Sequence, residues 1–183
     1  MRTFWLFFGF VLFLSAGCRE EFGGDRLFEV AYPVQDVFVP AGVVFPTTHV
    51  FAVPRLPTTI LSEMQRTDTG ADDIEYIGGL RARVTSLNGE DFAELESIDL
   101  RVCPVGQPLG CQILDRMFIT RDLFGRRDLV VNLNPVPLER NFRNLLLTDE
   151  EVRLEVVFTP GQTTSRVVEA RVEWAIHAVG NLE

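Results

Sequence analysis

From Leu27 onward, apolar and polar residues alternate along the chain with a period of two. Successive side chains of a β-strand point to opposite faces, so this alternation predicts half-buried strands. Leu80, Ala82 and Val84 alternate with Arg81, Arg83 and Thr85; Ile98, Leu100 and Val102 alternate with Asp99 and Arg101. Leu129, Val131 and Leu133 form a third run, with Asp128 and Asn132 facing out. The longest pattern comes last. Val152, Leu154, Val156 and Phe158 share a face opposite Glu151, Arg153 and Glu155. After Pro160-Gly161, Val168, Ala170, Val172, Trp174, Ile176 and Ala178 resume it, with Glu169, Arg171, Glu173 and His177 outward. These two runs predict an antiparallel hairpin over 151–179.

Earlier strands are broken by proline. Residues 27–32 and 34–39 are split at Pro33 and closed by Pro40-Ala41-Gly42; 43–53 is interrupted at Pro46, and 55–61 continues beyond Pro54. Proline lacks a ladder donor, so such segments suit edges, bulges and corners where the chain changes sheet. Phe22, Phe28, Tyr32, Phe38, Phe45 and Phe51 line this third of the chain and read as core. Helix is scarce, with a turn or two expected over 91–96 and 138–147. Many short strands with Pro/Gly corners predict an all-β antiparallel β-sandwich, immunoglobulin-like or jelly-roll, with one or two short helical turns.

The first residues do not belong to that pattern. Arg2 supplies a positive charge, Phe4 opens an apolar run that ends at Leu14, and Ser15-Ala16-Gly17 are small. A charged start, a short apolar centre and small residues define a secretory signal peptide. A spanning helix needs about 20 apolar residues, and Arg19-Glu20-Glu21 end this run too soon. Leu14-Ser15-Ala16-Gly17-Cys18 resembles the lipobox of bacterial lipoproteins, with Ser15 at a place where a large aliphatic residue is usual. The resemblance implies lipid transfer to the Cys18 thiol, cleavage before Cys18, and a membrane anchor; two or more acyl chains hold stably where one does not. Residues 1–17 are then the signal peptide, 18–26 a lipidated cysteine with a short tether, and 27–183 one domain. The absence of Asp at position 19 resembles the sorting pattern of outer-membrane lipoproteins. Cys18-Arg19-Glu20-Glu21-Phe22 is similar to the acidic export signal of surface lipoproteins of Bacteroidota. Together they imply a periplasmic or surface-exposed outer-membrane protein. The strand 97–102 followed by a long terminal hairpin also resembles uncharacterised all-β lipoproteins, which implies a fold and no activity.

Charge narrows the partners. The chain carries a net −9 with no lysine, and is one unit more negative without Arg2. An acidic surface argues against nucleic acid and against an electrostatic hold on anionic lipid, leaving anchoring to the acyl chains.

Candidate chemistry is sparse. Cys103 and Cys111 flank a Pro/Gly-containing loop, one closing a strand and the other opening the next; in an exported protein they predict a hairpin-stapling disulfide. Asp68, Asp72, Asp73 and Glu75 make the densest run of oxygen ligands, a weak calcium candidate that lacks EF-hand spacing and reads better as a solvated loop. His49 and His177 lie in unrelated contexts, and no Gly-x-Ser-x-Gly elbow supplies a nucleophile. Both histidines read as surface or half-buried structural residues. The doublets Asp72-Asp73 and Glu150-Glu151 are poor glycosidase pairs, since strand neighbours face opposite ways. No cofactor motif appears. The leading expectation is a non-enzymatic binding or structural module of the cell envelope, contacting protein or glycan. The alternative is a hydrolase of an envelope polymer with a site assembled from scattered carboxylates.

Overall fold

The computed structural model describes residues 24–136 and 140–180. The segment read as a signal peptide, Cys18, Phe22 and most of the expected tether lie outside the described residues. Antiparallel strands dominate: β1 (Arg26–Ala31), β2 (Gln35–Val39), β3 (His49–Pro57), β4 (Ile74–Ser86), β5 (Leu95–Pro104), β6 (Arg116–Thr120), β7 (Val130–Pro135), β8 (Glu151–Pro160) and β9 (Val168–Gly180). Two short helices, α1 (Ile60–Thr67) and α2 (Arg143–Thr148), accompany them.

The strands pair in a nested order. β1 and β2 follow one another along one edge of β9, as a single strand bent at Pro33. Then β3 pairs with β8, β4 with β7, and β5 with β6. Cross-links β4–β9 and β5–β8 join these ribbons into a front sheet, β1/β2-β9-β4-β7, and a back sheet, β3-β8-β5-β6. First with last, inward to a central hairpin, is the winding of a jelly roll and not of an immunoglobulin sandwich. β7 pairs with β4 through Val130–Leu133 and with β6 through Asn134 and Pro135, so one long edge of the sandwich is curled shut.

This order corrects the expected terminal hairpin. β8 and β9 are not hydrogen-bonded neighbours but lie in opposite sheets. Their apolar faces meet through the core instead of lying side by side. Phe158, Val156 and Leu154 come from the back sheet, and Ile176, Trp174 and Val172 from the front; all are buried. Alternation marks which face is apolar, but side-by-side pairing and face-to-face stacking satisfy it equally. Residues 161–167 are long enough to cross the sheets' separation of about 10 Å.

Other boundaries shift for local reasons. The strand expected over 43–53 begins only at His49; Val44 and Phe45 sit in an exposed turn containing a cis Phe45–Pro46 bond. Phe38 is exposed as well, whereas Phe28 and Tyr32 are core and Phe51 is half-buried against it. The run at 55–61 ends as strand at Pro57, and Ile60 opens α1, which was not expected. α1 buries Ile60 and packs Met64 on the core; α2 buries Leu145 and Leu146. They close the sandwich end where β3 leaves and β8 enters. Asn141 extends the ladder there: its Oδ1 accepts Ile77 N–H (3.1 Å), its amide donates to Glu75 O (2.9 Å), and Phe142 N–H donates to Ile77 O (2.9 Å).

β4 continues through Gly78-Gly79, where strand propensity is poorest. An aromatic ring covers each glycine from opposite sides. A Cβ on Gly78 would stand 2.4 Å from Tyr76 Cζ, and one on Gly79 2.6 Å from Phe118 Cζ in the core. Overpacking a core typically costs about 1–3 kcal/mol, so Gly79→Ala is expected to lower unfolding free energy by about that amount in urea titration. A second substitution, Phe118→Leu, should recover part of the loss by making room; no recovery would show that the ring is not what excludes the methyl group.

Candidate functional site

Strand direction sorts the loops into two groups. β1 begins opposite the end of β9 (Arg26 with Val179), and β4 begins there too (Ile74 with Gly180). This end therefore holds the start of the described chain, its last described residues, the connections 58–73 and 105–115, and residues 140–150. The opposite end holds 40–48, 87–94, 121–129 and 161–167.

At that far end the four loops are bonded into one surface. Thr164, buried, accepts Val43 N–H on its hydroxyl oxygen (2.9 Å) and donates that hydroxyl to Pro40 O (2.8 Å). Gly42 N–H donates to Thr164 O (2.7 Å). Glu94 accepts the Ser165 N–H (2.7 Å) and hydroxyl, and its backbone carbonyl accepts Gly161 N–H (2.9 Å). Gly125 N–H donates to Ala93 O (2.8 Å), and the Asn88 amide to Val167 O (2.8 Å). Arg166 pairs with Glu90 and Asp91. On this braced frame Val44, Phe45, Leu87, Phe124 and Val167 remain exposed. The cross-bonded loops thus present solvent-facing apolar tips on a fixed frame. This surface escaped sequence reasoning because the aromatics at 38 and 45 read as core and Phe124 stood alone.

Glu94 is the electrostatic joint of this surface. Partial burial works to raise its pKa, but the Ser165 hydroxyl and N–H and the Arg166 charge outweigh it and hold the carboxyl below its ordinary 4.5. A folded-state pKa below the unfolded one gives stability that is complete above 4.5 and is lost as pH falls through the folded value. The wild type's stability lead over Glu94→Gln should therefore narrow as pH falls below the ordinary 4.5, read by chemical denaturation at each pH. A lead that stays constant as pH falls would remove Glu94 from the acid response.

The outer face of the front sheet carries a groove of about 380 Å³ by Arg81, Arg83, Asn132 and Glu173, bordered by Ala31 and Val34. Its charges are matched: Arg83 donates to Glu173 (2.7 Å) and Arg81 pairs with Glu29. Further along, Arg171 clasps Asp36 through two bonds of 2.9 and 3.1 Å, which lowers the Asp36 pKa.

On the back sheet, Cys103 and Cys111 are bonded, with Cα atoms 5.4 Å apart. Cys103 is the penultimate residue of β5; Cys111 lies in the loop, four residues before Asp115 leads into β6. The loop folds back over the sheet's outer face and buries charge that alternation alone assigns to solvent. Asp99 pairs with Arg101 (2.7 Å) and Arg116 (3.8 Å), Arg153 pairs with Glu155 (2.6 Å), and Arg140 pairs with Asp115. Asp99, Asp115, Arg116 and Glu155 are all buried. Gly110 makes the cover possible: its φ is +70°, and a Cβ there would lie 2.5 Å from Glu155 Oε1. Closing so short a loop contributes about 2.5 kcal/mol by the chain-entropy account. Cys103→Ser with Cys111→Ser should lower stability by about that much in denaturant titration under oxidising conditions, with reductant producing a similar loss in the wild type and none in the variant.

The remaining candidates do not assemble. Asp68 caps the end of α1 in the left-handed region (φ 54°), Asp73 accepts Gly70 N–H (2.7 Å), and Glu75 follows Ile74 in β4. Among the described residues no three His, Cys, Asp or Glu side chains gather as a metal set. Of the two doublets, Glu151 is committed to Arg55 (2.9 Å). His49 lies on β3 between Phe38 and Phe158, with ring centroids 5.9 and 6.4 Å away. His177 faces outward from the front sheet, as alternation predicts, yet it is buried, with Tyr76 set edge-on at 6.2 Å. Burial pushes the Tyr76 hydroxyl up to about 12. The two histidines sit on different sheets, so no shared catalytic arrangement links them.

No protein-family profile matches this chain. No curated protein sequence matches it either. Among solved structures, it is similar to a chain of the empty head of turnip yellow mosaic virus, at 14% identity and a TM-score of 0.25, covering 87% of this chain and 85% of that one.

Proposed function

We propose that this protein is a lipid-anchored, non-enzymatic binding module of the bacterial envelope, held on the outer membrane through Cys18 and contacting a protein or glycan with its far-end loops. The observation that carries the reading is the polarity of the sandwich. The described chain enters at Asp25 and Arg26, beside Val179 and Gly180. Cys18 is eight residues before Arg26, a reach of at most about 28 Å. An anchor there leaves the braced surface with Phe45 and Phe124 pointing away from the membrane.

Two measurements test it. Wild-type protein is expected in the membrane fraction with an acylated N-terminal peptide by mass, and Cys18→Ser outside that fraction; an unacylated wild type overturns the anchor. A photoreactive residue at position 45 in intact cells should form adducts that one at position 50, on exposed β3, does not. Equal labelling, or none at either position, overturns the binding surface.

A further inference from the structure

We infer that the disulfide-held loop 105–115 is a second membrane contact, seating the domain by inserting Leu109, Ile113 and Leu114 into the interface of a zwitterionic bilayer; this rests on lipidation of Cys18. These three residues are 87%, 61% and 66% exposed, the three most exposed large apolar side chains among the described residues. They lie within six positions of one another. A flexible loop can hide such residues by collapsing, but this one is fixed. The disulfide closes its base, Gly110 N–H donates to Gln107 O (3.1 Å), and Asp115 N–H donates to Gln112 O (3.0 Å). The Asp115 carboxylate in turn accepts Gln112 N–H (2.7 Å) and binds Arg140. The side chains are thus displayed on a rigid support, so little conformational entropy is lost when they become buried.

The choice of occupant follows from where the loop sits. It joins β5 to β6 at the end of the sandwich where the chain enters, and it lies against the outer face of the back sheet beside that end. A tether with a reach of at most about 28 Å keeps this corner close to the bilayer at all times, so the local lipid concentration is far above that of any soluble partner. A few apolar side chains then add to the anchor as an interfacial contact. The lipid should be zwitterionic, because the chain's net charge is −9 and the cavity beside Val105 is bordered by Asp149, Glu150 and Glu151 against the one cation Arg55, which is paired with Glu151. Anionic headgroups would repel this corner.

The test uses the full lipoprotein, purified with its acyl chains and reconstituted in phosphatidylcholine vesicles with or without brominated tails. With residues 1–17 removed, Trp174 is the single tryptophan and it is buried, so an added indole reports its own surroundings. Leu109→Trp should be quenched at least twofold by the brominated lipid, whereas Phe45→Trp at the far end should change little. Replacing the lipid with phosphatidylglycerol should weaken the Leu109→Trp quenching. Equal quenching at both positions, in protein that is acylated and floats with the vesicles, overturns the loop contact and leaves the anchor standing. Emission from Leu109→Trp that shifts with protein concentration, not with bromination, assigns the patch to a second copy and also overturns it. Protein without an acyl chain by mass sinks both readings together.

Discussion

Strand β9 is hydrogen-bonded along both edges, to β1 and β2 on one side and to β4 on the other. That double pairing is the constraint on which the rest depends. It binds the first described strands to the last, fixes the direction of every ladder, and sets which connections share an end. The second half of β9 is buried on both faces: Ala175, His177 and Val179 point away from the core yet stay covered. The inner face of β9 meets β8 across the core, and Tyr32 stacks on Trp174 with centroids 4.0 Å apart at the point where the bent first strand turns. The Tyr32 hydroxyl donates to Thr58 O (2.9 Å), tying the front sheet to the segment that leads into α1.

The strand content of this fold was legible because it depends on local period, and local period survives in sequence. Residues such as Ile98, Leu100 and Val102, or Val168 to Ala178 taken alternately, mark a buried face wherever the strand ends up. Beyond the β5–β6 hairpin that the two cysteines marked, the partner of each strand was not legible. Pairing first with last is a long-range choice made by mutual burial, and the same alternation in β8 and β9 allows a hairpin as readily as two opposed sheets. The first part of β4 was hidden for a different reason. Gly78 and Gly79 weaken any strand pattern, and the rings that compensate are supplied by Tyr76 and by Phe118 of β6. α1 was hidden behind the prolines, since Pro54 and Pro57 suggest extended chain and do not show that Ile60 begins a helix.

Of the site features, the cysteine pair was readable from its spacing around a short Pro/Gly loop, whereas its surroundings were not. Asp99 and Arg101, or Arg153 and Glu155, look like the solvent face of amphipathic strands, and they are indeed on the outer face. Burial came from a loop folding back, which no periodicity encodes. The far-end surface was missed by the same logic reversed. Phe38 and Phe45 are apolar in an apolar neighbourhood, so they read as core, but Pro40 and Pro46 frame a turn that carries Phe45 to the solvent. Exposure here is a property of the corner, not of the residue type.

The nested pairing also sets an order of events during synthesis. β5 and β6 are close in sequence and can meet as soon as both exist, with Cys103 and Cys111 beside each other at the tip. β1 and β2 are made first and yet have no partner until the final thirteen-residue strand appears. For nearly the whole time the chain is emerging, its leading segment is an unpaired edge rich in Phe, Val and Tyr, the kind of edge that recruits foreign strands. The breaks at Pro33 and Pro40 keep that segment short and kinked while it waits, so the prolines that look like flaws in the finished ladder guard the unfinished one.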